Sequence, residues 1–303
     1  MHAELVLRIE DTDEARSTPD FEANILESLS WLGIQFDEGP LNPKGSMLYR
    51  QSERILAKVY SPYVERLIES GHAYYCFETD AELAEERNIA DEKGIPYVYS
   101  RKSLALSADE VANRLAKQDP YTIRLKVPHN TSILMQDEVR GEISFDSSLL
   151  SDFIIVKSDG APTYNLAVVI DDFEMGITHV VRGEDHISNT PKQMLILQAL
   201  GLPVPIYAHL PIILGQDRSK LSKRHGATSV TNYRDEGYMA DALINYVSLL
   251  GWSPPDEQEI LSRKALCDCF DVTRISKSGA IFDSVKLTWM NKQYLANLDD
   301  AEF

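Results

Sequence analysis

The heptapeptide KLSKRHG, Lys220 to Gly226, packs three cations and a histidine into one run. A second charged run, RGEDH, Arg182 to His186, precedes it by about forty positions. Between them lie a helix start, Asn189-Thr190-Pro191, and a short apolar strand, His209 to Leu214. A strand–helix–strand unit therefore carries charge at its strand ends and is followed by a basic loop. In open α/β sheets ligands bind at the carboxyl ends of the strands. Lysines delivered there suit an anion, a phosphate above all. Alone, KLSKR is weak evidence, because any surface loop can hold three cations. Its position after RGEDH gives it weight.

The elements that must position these runs follow from patterning. Residues 5–9 (LVLRI) alternate around Arg8 and read as a strand leading into an acidic turn. Thr18-Pro19-Asp20 opens a helix, with an N-cap hydroxyl, a proline in the first turn and a carboxylate at the positive end. Phe21, Ile25, Leu29 and Leu32 share one face, and Gly33 ends it. A single helix is expected from Ser52 to Ser70, kinked near Pro62. Residues 73–150 change character to short strand-like pieces between charged helical stretches, the pattern of a mixed α+β insertion. Residues 152–156 and 163–170 then read as a hairpin around Ser158-Asp159-Gly160. Thr178 to Arg182 reads as a strand and Pro191 to Leu200 as a helix; from Tyr233 onward the spacing is helical. Neither G-x-G-x-x-G nor G-x-x-x-x-G-K-[ST] occurs, so phosphate handling needs another device.

Composition narrows the class. With 303 residues the chain is long enough for two domains and a sizeable core. A hydrophobic share of 44% beside 25% charged residues is globular, and no apolar run reaches the ~18 residues of a membrane span. The start, MHAELVLRIEDTD, lacks the basic and apolar regions of a signal peptide. Three cysteines exclude a disulfide framework and fit a reducing compartment, so a cytoplasmic location is expected. A net charge of −17 argues against non-specific nucleic-acid binding by the body of the protein. It leaves room for a local basic footprint, for which Arg218 to His225 is the densest cluster.

Three segments, RIEDTD at 8–13, TYNLAVVIDD at 163–172 with RGEDH at 182–186, and KLSKRHG at 220–226, together resemble the catalytic half of the bacterial glutamyl-tRNA synthetases, class I aminoacyl-tRNA synthetases. SDFIIVKSDGAPTYN, SNTPKQ and WMNKQYL extend the resemblance over essentially the whole chain. It implies an α/β fold: a Rossmann-like catalytic domain incomplete at its N-terminus, an inserted α+β module and a helical C-terminal extension. The expected divisions are 1–55 and 151–228 for the catalytic domain, 56–150 for an acceptor-stem module and 229–303 for a helical stem-contact region.

The resemblance also implies roles. Arg182 would hold the side-chain carboxylate of L-glutamate, Glu10 the α-ammonium, and Tyr164 and His186 would line the amino-acid pocket. Asp185, Lys220, Ser222, Lys223 and Arg224 would serve ATP, with Lys223 and Lys220 the catalytic pair at the phosphates and Mg²⁺ assisting. The partners implied are tRNA(Glu), glutamate and ATP, with no membrane and a monomeric chain. Simpler explanations exist for single residues: an ion network for Glu10, Asp13 and Arg16, core packing for Tyr164, a salt bridge to Glu184 or Asp185 for Arg182.

The chain departs from the family in three ways. No segment with an H-I-G-H signature precedes RIEDTD, so a truncated, inactive chain is expected. No anticodon-binding domains follow Phe303, which keeps glutamyl-queuosine tRNA(Asp) synthetase and a non-catalytic tRNA-binding module as alternatives. Zinc, bound by some relatives in the insertion, is not expected, because Cys76 stands alone there and Cys267 and Cys269 read as packing residues.

Overall fold

The computed structural model describes residues 4–12, 17–222 and 229–298. Residues 5–9 are extended, but they touch the rest through isolated parallel bridges, Val6 with Glu38 and Ile9 with Arg50, and join no sheet. Helix α1 (Pro19–Trp31) begins where the proline and acidic first turn place it, and Gly33 leaves it at φ 65°. The expected long helix is two, α2 (Gln51–Leu56) and α3 (Ser61–Glu69). The break falls at Ala57–Tyr60, where Lys58 takes φ 56°, and Pro62 sits in the first turn of α3. Proline lacks an N–H, so a first turn accommodates it without loss, whereas an interior does not.

The following stretch is mixed as the patterning suggests: β1 (Ala73–Cys76), α4 (Asp80–Glu92), α5 (Ala108–Ala116), β2 (Thr122–Leu125), β3 (Ser132–Asp137) and β4 (Gly141–Asp146). Thr79 and Ser107 cap α4 and α5 with reciprocal capping boxes to Glu82 and Glu110. Strand β5 (Ile154–Val156) completes an antiparallel sheet in the order β1-β2-β5.

The hairpin expected at 152–170 is corrected. The turn forms, with Lys157 N donating to Ala161 O at 2.8 Å and Gly160 at φ 84°, but residues beyond it are helix α6 (Tyr164–Glu174), not a strand. Leu166 to Asp171 are buried without interruption. A helix buried all round shows no 3.6-residue stripe, so periodicity alone cannot separate it from a buried strand.

Next come β6 (His179–Gly183), α7 (Thr190–Ala199) and β7 (Ile206–Leu210), a crossover whose two strands pair in parallel from His179–Ile206 to Gly183–Leu210. Pro211 separates β7 from β8 (Ile213–Leu214), so the strand expected at His209–Leu214 is two short ones. The sheet order is β4-β3-β7-β6, with β3 parallel to β7. One sheet thus runs across the division drawn at residue 150. Helices α6 and α7 pack against β3 and β5 through Leu166, Ile170, Ile196, Leu200, Ile155 and Met135, none more than 1% exposed.

The C-terminal part is α8 (Val230–Asp235), α9 (Ala240–Ser248), α10 (Arg263–Cys269), β9 (Ala280–Ile281) and α11 (Ser284–Ala296), mostly helical as expected. Its core is Leu243, Tyr246, Leu287 and Met290, and β9 ties it to β8 in parallel. No helix of the described residues is long and apolar enough to cross a membrane.

Beneath these layers lies a buried charge cluster. Asp171 is fully buried and accepts from Arg54 Nε at 2.7 Å, Gln51 Nε2 at 2.8 Å and Tyr60 Oη at 2.9 Å. Arg54, 1% exposed, also donates to Glu174 at 2.5 Å. Removing one partner of such a pair strands the other charge away from water. Arg54→Met is expected to lower unfolding free energy by about 3–5 kcal/mol, read as a fall in the urea midpoint with an unchanged slope.

Candidate active site

The carboxyl ends of β6 and β7 lie side by side, and each delivers one polar side chain: Arg182 is paired with His209 across the ladder. Arg182 Nε donates to His209 Nε2 at 3.1 Å and Nη2 donates to Thr190 Oγ1 at 2.9 Å, at the start of α7. The salt bridge considered for Arg182 is not formed. Glu184 instead pairs with Arg140 and accepts from Ile212 N at 3.0 Å, while Asp185 takes Lys220 Nζ at 2.6 Å. A Cβ on Gly183 would lie 2.5 Å from Asp185 Oδ1, so any larger residue there would oblige the Asp185 side chain to shift.

Tyr164, expected on a strand, opens helix α6, and Thr163 stands at the extended N-cap position before it. The tyrosine hydroxyl lies 3.3 Å from His186 Nδ1, and the two rings are tilted with centroids 5.8 Å apart. His186 is also 3.4 Å from the Asn189 amide. Burial pushes the Tyr164 hydroxyl up, the Glu10 carboxylate adds to that, and the Arg182 charge opposes it. Tyr164 thus lies within the fields of both Glu10 and Arg182. Burial likewise lifts Tyr207, beneath the Arg182 guanidinium, to about 12.

Glu10 does belong to an ion network, with Arg8 and Asp172; Asp13 and Arg16 lie outside the described residues. Arg8 Nη2 donates to Glu10 at 2.8 Å and Nη1 to Asp172 at 2.6 Å, so the far end of α6 holds the Glu10 carboxylate through Arg8. The two ends of α6 therefore serve one site: Tyr164 at its start and Asp172 near its close.

The basic loop is partly described. Gly215 N donates to Ser219 O at 2.8 Å, Arg218 takes φ 62°, and Lys220 bridges back to Leu214. That turn brings Lys220 to Asp185 and so to the end of β6. The Lys220 ammonium, through its hydrogen bond, holds the Asp185 carboxyl below the usual range. Ser222 follows directly; Lys223 and Arg224 lie outside the described residues.

Glu10, Tyr164, Arg182 and His186 thus converge, with Asp185 and Lys220 beside them. The patterning did not single out Asp137, Thr190, His209 or the Arg8–Asp172 pair. The available signals were a histidine inside the apolar strand IYAHL and an aspartate closing the alternation SILMQD. In the insertion, the Cys76 thiol donates to Glu78 at 2.9 Å and takes the Arg124 guanidinium at 3.2 Å. Cys267 is exposed and Cys269 half-buried.

Residues 2–289 match the family model described as tRNA synthetases class I (E and Q), catalytic domain. The chain is 54% identical to the glutamate–tRNA ligase of Aquifex aeolicus, over 96% of this chain and 59% of that protein. It is 52% identical to the glutamate–tRNA ligase of Carboxydothermus hydrogenoformans, over 96% of this chain and 60% of that one. The crystal structure of the glutamate-tRNA synthetase from Elizabethkingia anophelis superposes with a TM-score of 0.90 at 38% identity, covering 98% of this chain and 64% of that one. The chain thus spans about 60% of the length of the curated relatives it matches.

The Lys220–Asp185 pair is exposed and Thr190 is fully buried, so the two differ in what their loss does to the fold. Lys220→Ala is expected to change stability by less than about 1 kcal/mol. Thr190→Val, which strips a buried acceptor from the Arg182 guanidinium, is expected to cost about 1–3 kcal/mol. Paired thermal melts check both.

Proposed function

Because this chain belongs to the class I tRNA synthetases (E and Q), we propose that it is the catalytic part of a glutamate–tRNA ligase, activating glutamate with ATP and passing the glutamyl group to the 3′ end of tRNA(Glu). The observation that carries the reading is Arg182, held on its inner edge by His209 and Thr190 and facing Tyr164 and the Glu10 side of the site. A guanidinium so held offers an end-on pair of N–H groups, which matches the two oxygens of an anion such as a carboxylate and repels an ammonium.

In this reading Arg182 takes the glutamate side-chain carboxylate, Tyr164 closes the pocket with its hydroxyl, His186 orients that hydroxyl, and Glu10 receives the α-ammonium. The α-carboxylate then attacks the α-phosphate of ATP, giving glutamyl-adenylate and pyrophosphate, and the terminal ribose hydroxyl of tRNA takes the acyl group. Lys220 reaches the phosphates from the loop; Lys223, Ser222 and Arg224 are assigned to the same task. Mg²⁺ would arrive on the ATP phosphates and neutralise their charge, since such ions are held by one or two carboxylates plus substrate oxygens. Asp185, paired with Lys220, is assigned to the ATP side of the site. Zinc is not assigned, because the Arg124 guanidinium sits against the Cys76 thiol. Residues 56–150 are assigned to the acceptor end of the tRNA and 229–303 to its stem, in a chain that acts as a monomer in the cytoplasm.

The test is tRNA-dependent ATP–pyrophosphate exchange with glutamate, run on this chain and on the full-length protein. Exchange by the full-length protein with tRNA(Glu) is expected, and Arg182→Ala should lower kcat/KM at least about 100-fold. Glutamate transfer to tRNA(Asp) instead would replace the reading with the queuosine-type synthetase. A folded full-length protein that binds tRNA without exchange would make this a binding module.

A further inference from the structure

Arg182 does not hold its own position. A guanidinium is a rigid plane on a flexible stem, so a fixed fork needs partners along one edge. Three elements supply them. His209 of β7 and Thr190 of α7, both fully buried, occupy the edge formed by Nε and Nη2. Behind them Asp137, at the end of β3, lies 2.6 Å from His209 Nδ1. Asp137 is itself fixed: its Oδ1 accepts from Val139 N at 3.0 Å and Arg140 N at 2.8 Å, and His209 N approaches Oδ2 at 3.1 Å.

Donors and acceptors decide the protonation of the ring. A carboxylate only accepts, so Nδ1 of His209 carries a proton; the Arg182 Nε only donates, so Nε2 presents its lone pair. The ring is then the neutral Nδ1–H tautomer. Burial pushes His209 down, the Arg182 charge acts the same way, and Asp137 opposes both. For Asp137, burial is outweighed by the Arg140 amide and the His209 ring, which hold the carboxyl below its usual range. A neutral imidazole between an anion and a cation is consistent with every contact in the chain of bonds.

We propose that Asp137 and His209 are positioning residues that lock Arg182 with its end-on edge toward the substrate, and so set the preference for a side-chain carboxylate over a carboxamide. The proposal rests on the reading of Arg182 given above. A locked fork shows the ligand only N–H groups, which suits two carboxylate oxygens and confronts an amide NH₂ with like donors. An unlocked Arg182 could turn aside and uncover Thr190 Oγ1 or His209 Nε2, acceptors that an amide can use.

The test variant is Asp137→Asn. Its carbonyl oxygen can still accept from Val139 and Arg140, while its NH₂ faces Nδ1 and drives the proton to Nε2, against the guanidinium. ¹⁵N NMR of this chain should show His209 neutral and protonated at Nδ1, with a slowly exchanging Arg182 Nε–H. Asp137→Asn should move the proton to Nε2 and abolish that protection, with thermal melting reporting that the fold persists. Calorimetry on the full-length protein should show glutamate binding weakened at least about tenfold, with ATP binding unchanged and the glutamate-to-glutamine ratio narrowed. His209→Phe should narrow the same ratio. An Nε2–H or doubly protonated His209 in the unaltered chain, or unchanged glutamate binding in Asp137→Asn, would overturn the proposal. Arg182→Ala separates the two layers. Undiminished glutamate binding in that variant, or none in the unaltered protein, removes the assigned role of Arg182 and with it the specificity claim, while the NMR result decides the positioning.

Discussion

The carboxylate of Asp171 is the interaction on which the rest of the structure depends. A buried charge costs several kcal/mol to desolvate and is kept only with close partners and filled hydrogen bonds. Here Arg54, Gln51 and Tyr60 come to it from the α2–α3 region, and Arg8 lies 3.8 Å away on its other side. The same cluster therefore fastens the extended N-terminal segment and the broken helix pair onto α6. It also accounts for the break, since Arg54 at the end of α2 is turned inward and the chain leaves the helix at once to bring Tyr60 to the same carboxylate. Asp172, one residue on, passes the anchorage to Arg8 and so to Glu10.

The continuity of the main sheet adds a second constraint. Strand β3 precedes residue 150 and pairs in parallel with β7, which follows it. The aspartate ending β3 is thereby brought to the histidine in β7, although 72 residues separate them in the chain. The Arg182 end of the site consequently leans on a strand from the mixed α+β stretch. A displacement of that stretch would be felt at Arg182 through two consecutive hydrogen bonds, Asp137 to His209 and His209 to Arg182, with no loop in between.

Much of this was legible in the sequence where the signal is local. The proline and acid at the start of α1, the Asn189-Thr190-Pro191 start of α7 and the strand carrying Arg182 all appear where residue chemistry puts them. Glu10, Tyr164, Arg182 and His186 stand in motifs whose residue types and order mark them without any geometry. Tyr164 was nevertheless assigned to a strand, because a segment buried all round has no polar face to mark its period. His209 and Asp137 were passed over for a different reason. Each is one polar residue in an apolar strand, and their partnership exists only once β3 and β7 are paired.

The contact between Lys220 and Asp185 has its own consequence. Both side chains are well exposed, 65% and 40%, so the high dielectric of the surrounding water leaves their attraction weak. The ammonium is thus held in an exposed pair and not in a buried one. A phosphate entering beside it would replace one negative partner with another, and would leave the exposed Asp185 carboxylate to water. Such an exchange at Lys220 would trade one exposed ion pair for another.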